Sequence, residues 1–130
     1  MINSKELAQL AAQARLQAYA PYSKFRVGAA LMANNGKIYT GCNVENASYG
    51  MSLCAERVAV CKAVSDGNTS LKAIALSMTG SGPPCGACRQ VLHEFNPSIP
   101  VYMADESGNI RHESILSDLI PNAFGPGNMD

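Results

Sequence analysis

The sequence has no excess of charge of either sign and no long run of like charges, because ten lysines and arginines balance ten aspartates and glutamates. A nucleic-acid-binding surface needs clustered positive charge to neutralise phosphates, so nucleic acid is not expected as a standing partner. No apolar run approaches the ~20 residues of a membrane span, and the amino-terminal segment lacks the basic-then-apolar order of a secretory signal. We therefore expect a cytoplasmic protein that neither crosses a membrane nor binds nucleic acid.

Histidine is also scarce, with two residues in a chain of 130, whereas cysteine occurs five times. An odd number of cysteines in a reducing compartment argues against a disulfide framework and favours metal binding or catalysis. A chain of this length buries enough surface to fold without a disulfide or a metal, so any metal is free to do chemistry. We expect residues 1–130 to form a single domain.

Apolar periodicity and turn residues predict the order helix, two strands, helix, strand, helix, two strands, helix. Asn3 or Ser4 caps the first helix, which stops at "APYS", and Asn35-Gly36 closes a hairpin between the first two strands. A second hairpin turns at Ser107 and Gly108. The predicted strands lie near 25–33, 37–45, 71–78 and around the second hairpin, and the later helices near 54–67, 86–95 and 114–119. This alternation predicts one layered α/β sheet, with parallel neighbours wherever a helix intervenes.

Three cysteines open predicted helices: Cys54 begins one, and Cys85 and Cys88 begin another. The partial positive charge and free N–H groups of a helix amino terminus stabilise thiolates, the form that binds zinc. The C-x-x-C spacing lets two sulfurs hold one ion, and a third sulfur fills three of four tetrahedral positions. Three protein ligands are typical of a catalytic zinc site, because structural sites have four. His93 and His112 are not expected to be ligands.

Glu56 lies in the first helical turn, two residues after Cys54, where it reaches the open side of such a metal without binding it. This is the position of a general base that accepts a proton from a zinc-activated water. Arg57 is a candidate to offset the negative charge of three thiolates by hydrogen bonds to sulfur, and Gln90, two residues after Cys88, is a further candidate for that role. Other interpretations stay open: a redox dithiol at Cys85 and Cys88, or a zinc that only staples the core.

The sequence closely resembles the small cytidine deaminases that act on free nucleosides, of the homotetrameric type that uses three cysteines. The resemblance rests on "YAPYSKFRVGAAL", "GCNVENASYG", "CAER", "PCGACRQ" and "LIPNAFGP", which occur in the family's order across nearly the whole chain. It implies a three-layer α/β/α cytidine-deaminase-like fold with a five-stranded mixed sheet. It also implies one Zn²⁺ per chain, held by Cys54, Cys85 and Cys88, with Glu56 as the proton shuttle.

The resemblance further assigns residues to the substrate. Asn43 and Glu45 match the family's ribose-binding pair, and Phe25 and Phe124 match its base-packing aromatics. The residues that match Ala47, Tyr49 and Phe124 reach a neighbouring subunit's site, so active sites would be shared within a homotetramer. The implied reaction converts cytidine and 2′-deoxycytidine to uridine and 2′-deoxyuridine plus ammonia, in pyrimidine salvage. A cytosine nucleotide, a nucleoside antibiotic and a base within RNA are the rival substrates.

Overall fold

The computed structural model describes residues 1–129 and shows the predicted order of elements. Helices α1 to α4 span Ser4–Arg15, Ala55–Ser65, Gly86–Phe95 and Leu116–Leu119, and strands β1 to β5 span Gly28–Ala33, Ile38–Cys42, Leu71–Ser77, Pro100–Ala104 and Ile110–Ile115. Two short 3-10 turns, Tyr49–Met51 and Pro126–Met129, are not evident from the sequence pattern. Within the described residues, no helix has the length and apolar character needed to cross a bilayer.

The five strands form one mixed sheet in the order β2-β1-β3-β4-β5. β3 and β4 run parallel, as predicted for strands joined by a helix, and the other neighbours run antiparallel. The same prediction is wrong for β2 and β3, because β1 lies between them. β1 uses one edge for its hairpin partner β2 and the other for β3, so the two strands that flank it point the same way without touching.

Side-chain alternation along β1 divides the core into two layers of packing. Ala30 and Met32 face α1, and Ala29 and Leu31 face the side covered by the later helices. Successive side chains of a strand point to opposite faces, so a strand that is buried throughout needs apolar residues at every position. β1 is buried along its whole length. The predicted three-layer α/β/α arrangement with a five-stranded mixed sheet is confirmed.

The first helix begins where the sequence predicts, because Asn3 and Glu6 form a capping box. The Asn3 side chain accepts the backbone N–H of Glu6 at 2.8 Å, and the Glu6 carboxylate accepts that of Asn3 at 3.2 Å. The helix then lies directly on the sheet at Gly28, where a Cβ atom would lie 2.0 Å from the carbonyl oxygen of Ala11. Only glycine permits this approach.

A second glycine brings α2 close to the opposite face of the sheet. A Cβ atom on Gly41 would lie 2.5 Å from the carbonyl oxygen of Ala55 and 2.8 Å from the backbone nitrogen of Ala59. These neighbours are helix backbone, which cannot swing aside as a flexible side chain does. Gly41 therefore sets the distance between β2 and the amino-terminal half of α2.

We expect Gly41→Ala to destabilise the protein by about 1–3 kcal/mol, because the added methyl group overpacks a backbone contact. The measurement is the urea midpoint of unfolding. Gly127→Ala is the matched control, since a Cβ atom there meets nothing within 4 Å. Equal midpoints for the two variants would contradict the close approach of α2.

Candidate active site

The site lies at the end of the sheet where β2 and β3 finish on either side of the first residue of β1. Gly28 pairs with Cys42 at the end of β2 on one side and with Ser77 at the end of β3 on the other. Because β2 and β3 both run antiparallel to β1, both finish at this end of the sheet. The segments that lead into α2 and α3 therefore leave the sheet at the same end, one on each side of β1.

Two loops then return the chain to the start of each helix. Before α2, Val44 and Leu53 exchange backbone hydrogen bonds of 3.0 and 2.9 Å, which closes the intervening loop and sets Cys54 beside the sheet. Before α3, Arg89 donates from Nε to the carbonyl of Pro84 at 2.8 Å, next to Cys85, and from Nη1 to the carbonyl of Leu119 at 2.6 Å. The positions of Cys54 and Cys85 are thus set by hydrogen bonds that residues next to them in the chain make.

The three cysteines predicted as ligands form one cluster. Cys54 is the N-cap residue of α2, Cys85 is the N-cap residue of α3, and Cys88 lies in the first turn of α3. Their Sγ atoms all lie within 4.8 Å of one another, and those of Cys54 and Cys85 are 3.6 Å apart. All three are free cysteines. In residues 1–129, no other acidic, cysteine or histidine side chain joins this group.

The cluster fits a zinc ion in spacing and in charge. Tetrahedral bonds of about 2.3 Å place sulfur ligands about 3.8 Å apart, close to the separation of Cys54 and Cys85. The pKa of the Cys54 thiol is lowered to about 5, first by hydrogen bonding with Cys88 and also by Arg57. The pKa of Cys88 is raised because its proton is held toward Cys54 and because it is buried. The lowered pKa of Cys54 favours its thiolate, which is the form that binds zinc.

Arg57 lies beside the cluster, as predicted. Its Nη2 lies 3.7 Å from Sγ of Cys54 and 3.3 Å from the carbonyl oxygen of Ser52, and it donates to both. Its Nε is buried without a hydrogen-bond partner among the described residues. One face of the guanidinium thus offsets the charge of Cys54.

Glu56 is almost completely buried, with 4% of its surface exposed, and lies in the same pocket as Cys54 and Cys85. Burial raises the pKa of Glu56, and the nearby Cys54 thiolate raises it further. A carboxylate in this setting is a stronger proton acceptor than one in water. A buried carboxylate with a raised pKa therefore lines the same pocket as two cysteines of the cluster.

The pocket that contains these groups has a volume of about 460 Å³, and Phe25, Asn43, Glu45 and Tyr49 also line it. Asn43 and Glu45 are two residues apart and reach the same cavity, as period-two spacing predicts. Tyr49 also packs edge to face on Tyr22, with ring centroids 6.0 Å apart. Tyr49 thus borders the pocket of its own chain, a placement that the sequence does not predict.

The remaining predicted residues do not line this pocket. Ala47 is exposed, and Phe124 is exposed over 60% of its surface on the carboxyl-terminal segment. The Gln90 side chain donates from Nε2 to the backbone carbonyl of Phe124 at 2.8 Å. Gln90 therefore holds the segment that carries Phe124, which differs from the expected contact with sulfur.

Sequence reasoning missed several residues of the pocket wall, among them Ser23 and Met78. Met78 follows β3 directly, and its sulfur would lie 2.8 Å from a Cβ atom on Gly82. The sequence pattern treats it as a core residue. Ser23 belongs to the "APYS" segment, which the pattern marks only as the end of a helix.

Comparison with known proteins agrees with this site. Residues 1–104 match the family described as "Cytidine and deoxycytidylate deaminase zinc-binding region". A cytidine deaminase of Sporosarcina psychrophila is 56% identical over 115 residues, which are 86% of this chain and 84% of that protein. One from Halalkalibacterium halodurans is 47% identical over 92% of each chain.

Solved structures give the same relationship in three dimensions. The crystal structure of cytidine deaminase from Burkholderia pseudomallei superposes with a TM-score of 0.89 at 45% sequence identity, covering 95% of this chain and all of that one. A cytidine deaminase structure from Mycobacterium leprae has a TM-score of 0.82 at 36% identity. Sequence, fold and cysteine cluster agree, and the chain therefore belongs to the cytidine deaminase family of hydrolytic enzymes.

Proposed function

We propose that this protein deaminates cytidine and 2′-deoxycytidine with water, giving uridine or 2′-deoxyuridine and ammonia. One zinc ion per chain, held by Cys54, Cys85 and Cys88, serves the reaction. The observation that carries the proposal is the position of the buried Glu56 carboxylate in one pocket with the sulfur cluster. A purely structural zinc site has no need of such a carboxylate, and a redox dithiol has no need of Cys54.

Zinc in such a site is a Lewis acid that lowers the pKa of a water molecule from about 15.7 to about 7. Glu56 accepts a proton from the attacking water and delivers it to ring N3 as oxygen adds to C4 of the base. Glu56 then takes the second proton of the added water, from the hydroxyl on C4, and gives it to the exocyclic amine. The C4–N bond breaks, ammonia leaves, and the C4 carbonyl of the uracil product remains. The raised pKa of Glu56 suits both steps, because the group must take up a proton readily and release it again.

Arg57 keeps the cluster from becoming too electron-rich for this chemistry. Three thiolates around one divalent ion leave a net negative charge, and the hydrogen bond from Arg57 to Cys54 withdraws part of it. The same interaction stabilises the thiolate form of Cys54. Arg57 thus acts through the sulfur and not on the substrate.

Other residues of the pocket wall are suited to the sugar and the base. Asn43 and Glu45 present an amide and a carboxylate, which hydrogen-bond ribose hydroxyls, and Phe25 supplies an apolar surface for the pyrimidine ring. 2′-Deoxycytidine keeps the 3′-hydroxyl as a partner for these groups, so the proposal includes both nucleosides. The products place the enzyme in pyrimidine salvage.

A nucleotide substrate is disfavoured by the charges around the pocket. Among the described residues of its wall, Arg57 is the one cation, and its guanidinium contacts Cys54. Glu45, at the sugar end, is a carboxylate whose pKa is lowered by the hydroxyl of Ser23 and by backbone N–H groups, so it is ionised at neutral pH. Negative charge at that end repels a 5′-phosphate.

We also propose that residues 1–130 form a single domain that assembles into a cytoplasmic homotetramer with shared active sites. Phe124 is exposed on its own chain at 60%, and Tyr49 and Met51 are exposed at 73% and 67%. Exposed apolar side chains that form a contiguous patch are typical of a surface that becomes buried in an assembly, and the proposal takes these residues as part of such a patch. Phe124 would close the pocket of a neighbouring chain, near that chain's Phe25.

Glu56→Gln should retain zinc and lose about 10²–10⁴-fold in kcat, because the amide keeps the shape of the carboxylate but cannot accept the proton. The measurement is the decrease in ultraviolet absorbance as cytidine is consumed, with zinc counted in the same samples. Wild-type rates in a zinc-loaded Glu56→Gln variant would overturn the proposed role.

Cys54→Ala should lose both bound zinc and deamination, since it leaves two of the three sulfurs. Cys61→Ala is the matched control, because Cys61 lies on the same helix but is exposed and outside the cluster. Zinc per chain is measured by elemental mass spectrometry after dialysis. Full zinc retention by Cys54→Ala, or its loss from Cys61→Ala, would contradict the proposed ligand set.

Sharing of active sites predicts complementation between two impaired chains. Phe124→Ala and Glu56→Gln homotetramers should each have low activity, whereas co-expressed chains should exceed the sum of the two. In the mixed tetramer, a Glu56→Gln chain supplies Phe124 to a pocket whose Glu56 is intact. Activity equal to that sum, with mixed tetramers verified by mass, would show that Phe124 serves its own chain.

A further inference from the structure

Glu45 organises the loop between α1 and β1 as well as lining the pocket. Its Oε1 accepts the backbone N–H groups of Tyr22 at 3.0 Å and of Ser23 at 3.1 Å. Its Oε2 accepts the hydroxyl of Ser23. The loop that leads to Phe25, and that contains Lys24 with a φ of 60°, is therefore built around one carboxylate.

The direction of the Ser23 hydroxyl is fixed by its two partners. Its oxygen accepts the backbone N–H of Phe25 at 3.0 Å, and an N–H group can only donate. The single hydroxyl proton is therefore directed to Glu45, which accepts it. Ser23 thus joins the backbone of Phe25 to the carboxylate of Glu45, and all three residues line the pocket.

An ionised carboxylate has about four acceptor positions. Three are filled in this structure: both on Oε1 by backbone N–H groups, and one on Oε2 by Ser23. One position remains on Oε2, and the Ser23 hydroxyl determines where it points. Glu45 therefore has room for a single further donor of defined direction, such as one hydroxyl group of a sugar.

We propose that Ser23 is a positioning residue for sugar recognition: it directs the free acceptor position of Glu45 into the pocket and fixes the backbone of Phe25 at the same time. The inference rests on the proposed function in taking a nucleoside as the ligand. Ser23 acts through Glu45 and does not itself contact the reacting atoms.

A simpler role would be a serine turn that only stabilises the loop, because the bond from Phe25 to Ser23 has the pattern of such a turn. The two roles differ in what they predict for substrates. Loss of a loop support affects all nucleosides alike. Loss of the bond to Glu45 affects those with ring hydroxyls and spares those without them.

The experiment compares Ser23→Ala with wild type on cytidine and on 2′,3′-dideoxycytidine, which lacks both secondary hydroxyls. The ratio of the two kcat/KM values should fall about tenfold in Ser23→Ala, mainly through a higher KM for cytidine, as expected for a lost hydrogen bond to a charged group. Ser23→Thr keeps the hydroxyl and should keep the ratio. Ser107→Ala, an exposed serine outside the pocket, is the matched control and should change neither value.

Equal losses on both substrates, or a lost ratio in Ser23→Thr together with a retained ratio in Ser23→Val, would overturn the inference. The Thr and Val variants have the same shape and differ in the hydroxyl, so they repeat the test if Ser23→Ala does not fold. Wild-type protein that fails to convert cytidine overturns the proposed function and this inference together. Active wild type with an unchanged ratio in Ser23→Ala overturns the inference alone.

Discussion

The site depends on the position of β1 between β2 and β3. Because both neighbours run antiparallel to β1, their ends lie in one row with Gly28, and the helices that follow begin at the same place. The close contacts at Gly28 and Gly41 then hold a helix against each face of the sheet at backbone distance. A sulfur cluster assembled from α2 and α3 depends on the second of these contacts, which fixes α2 and with it Cys54, since Cys54 and Cys85 are separated by 31 residues of chain. The metal chemistry therefore rests on strand order.

Electrostatics oppose the arrangement that the strands impose. The thiols and the buried Glu56 carboxyl all become negative when they ionise. Burial and the nearby charge of Cys54 therefore raise the pKa of Glu56. The helix amino termini beneath Cys54 and Cys85 and the guanidinium of Arg57 oppose that repulsion locally. The pKa of Cys54 is lowered, first by hydrogen bonding with Cys88 and also by Arg57, while burial raises that of Glu56. Two neighbouring groups with pKa values displaced in opposite directions are typical of a catalytic site.

The sequence is sufficient to predict the elements whose signals are local, such as the Asn3 cap, the turn at Gly36 and the helix after Cys85. It predicts β1 and β2 as longer than they are, because the reason they end is not local. The backbone carbonyl of Asn43 accepts the N–H of Tyr19. The N–H of Val27 is therefore accepted by the Asn43 side-chain oxygen, at 2.9 Å, and not by the Asn43 backbone carbonyl. This change of acceptor ends the backbone pairing of β1 with β2. The segment before β1 then leaves the sheet, and its Phe25 lines the pocket. Contacts between residues that far apart in sequence are not visible in a pattern of residue types, which is also why Ser23 was missed.

Asn43 and Glu45 consequently have two roles that are physically inseparable. Asn43 donates to the carbonyl of Phe25 at 2.8 Å, and Glu45 accepts from Tyr22 and Ser23, so two side chains that line the pocket also hold its wall. A ligand that binds their remaining positions meets groups already fixed in direction, and little further ordering opposes binding. These two roles also limit which substitutions the site tolerates. Replacing Asn43 or Glu45 to alter specificity would also remove hydrogen bonds that hold the loop of Phe25. Specificity is then more readily altered through Ser23, which changes the direction of an acceptor without removing it.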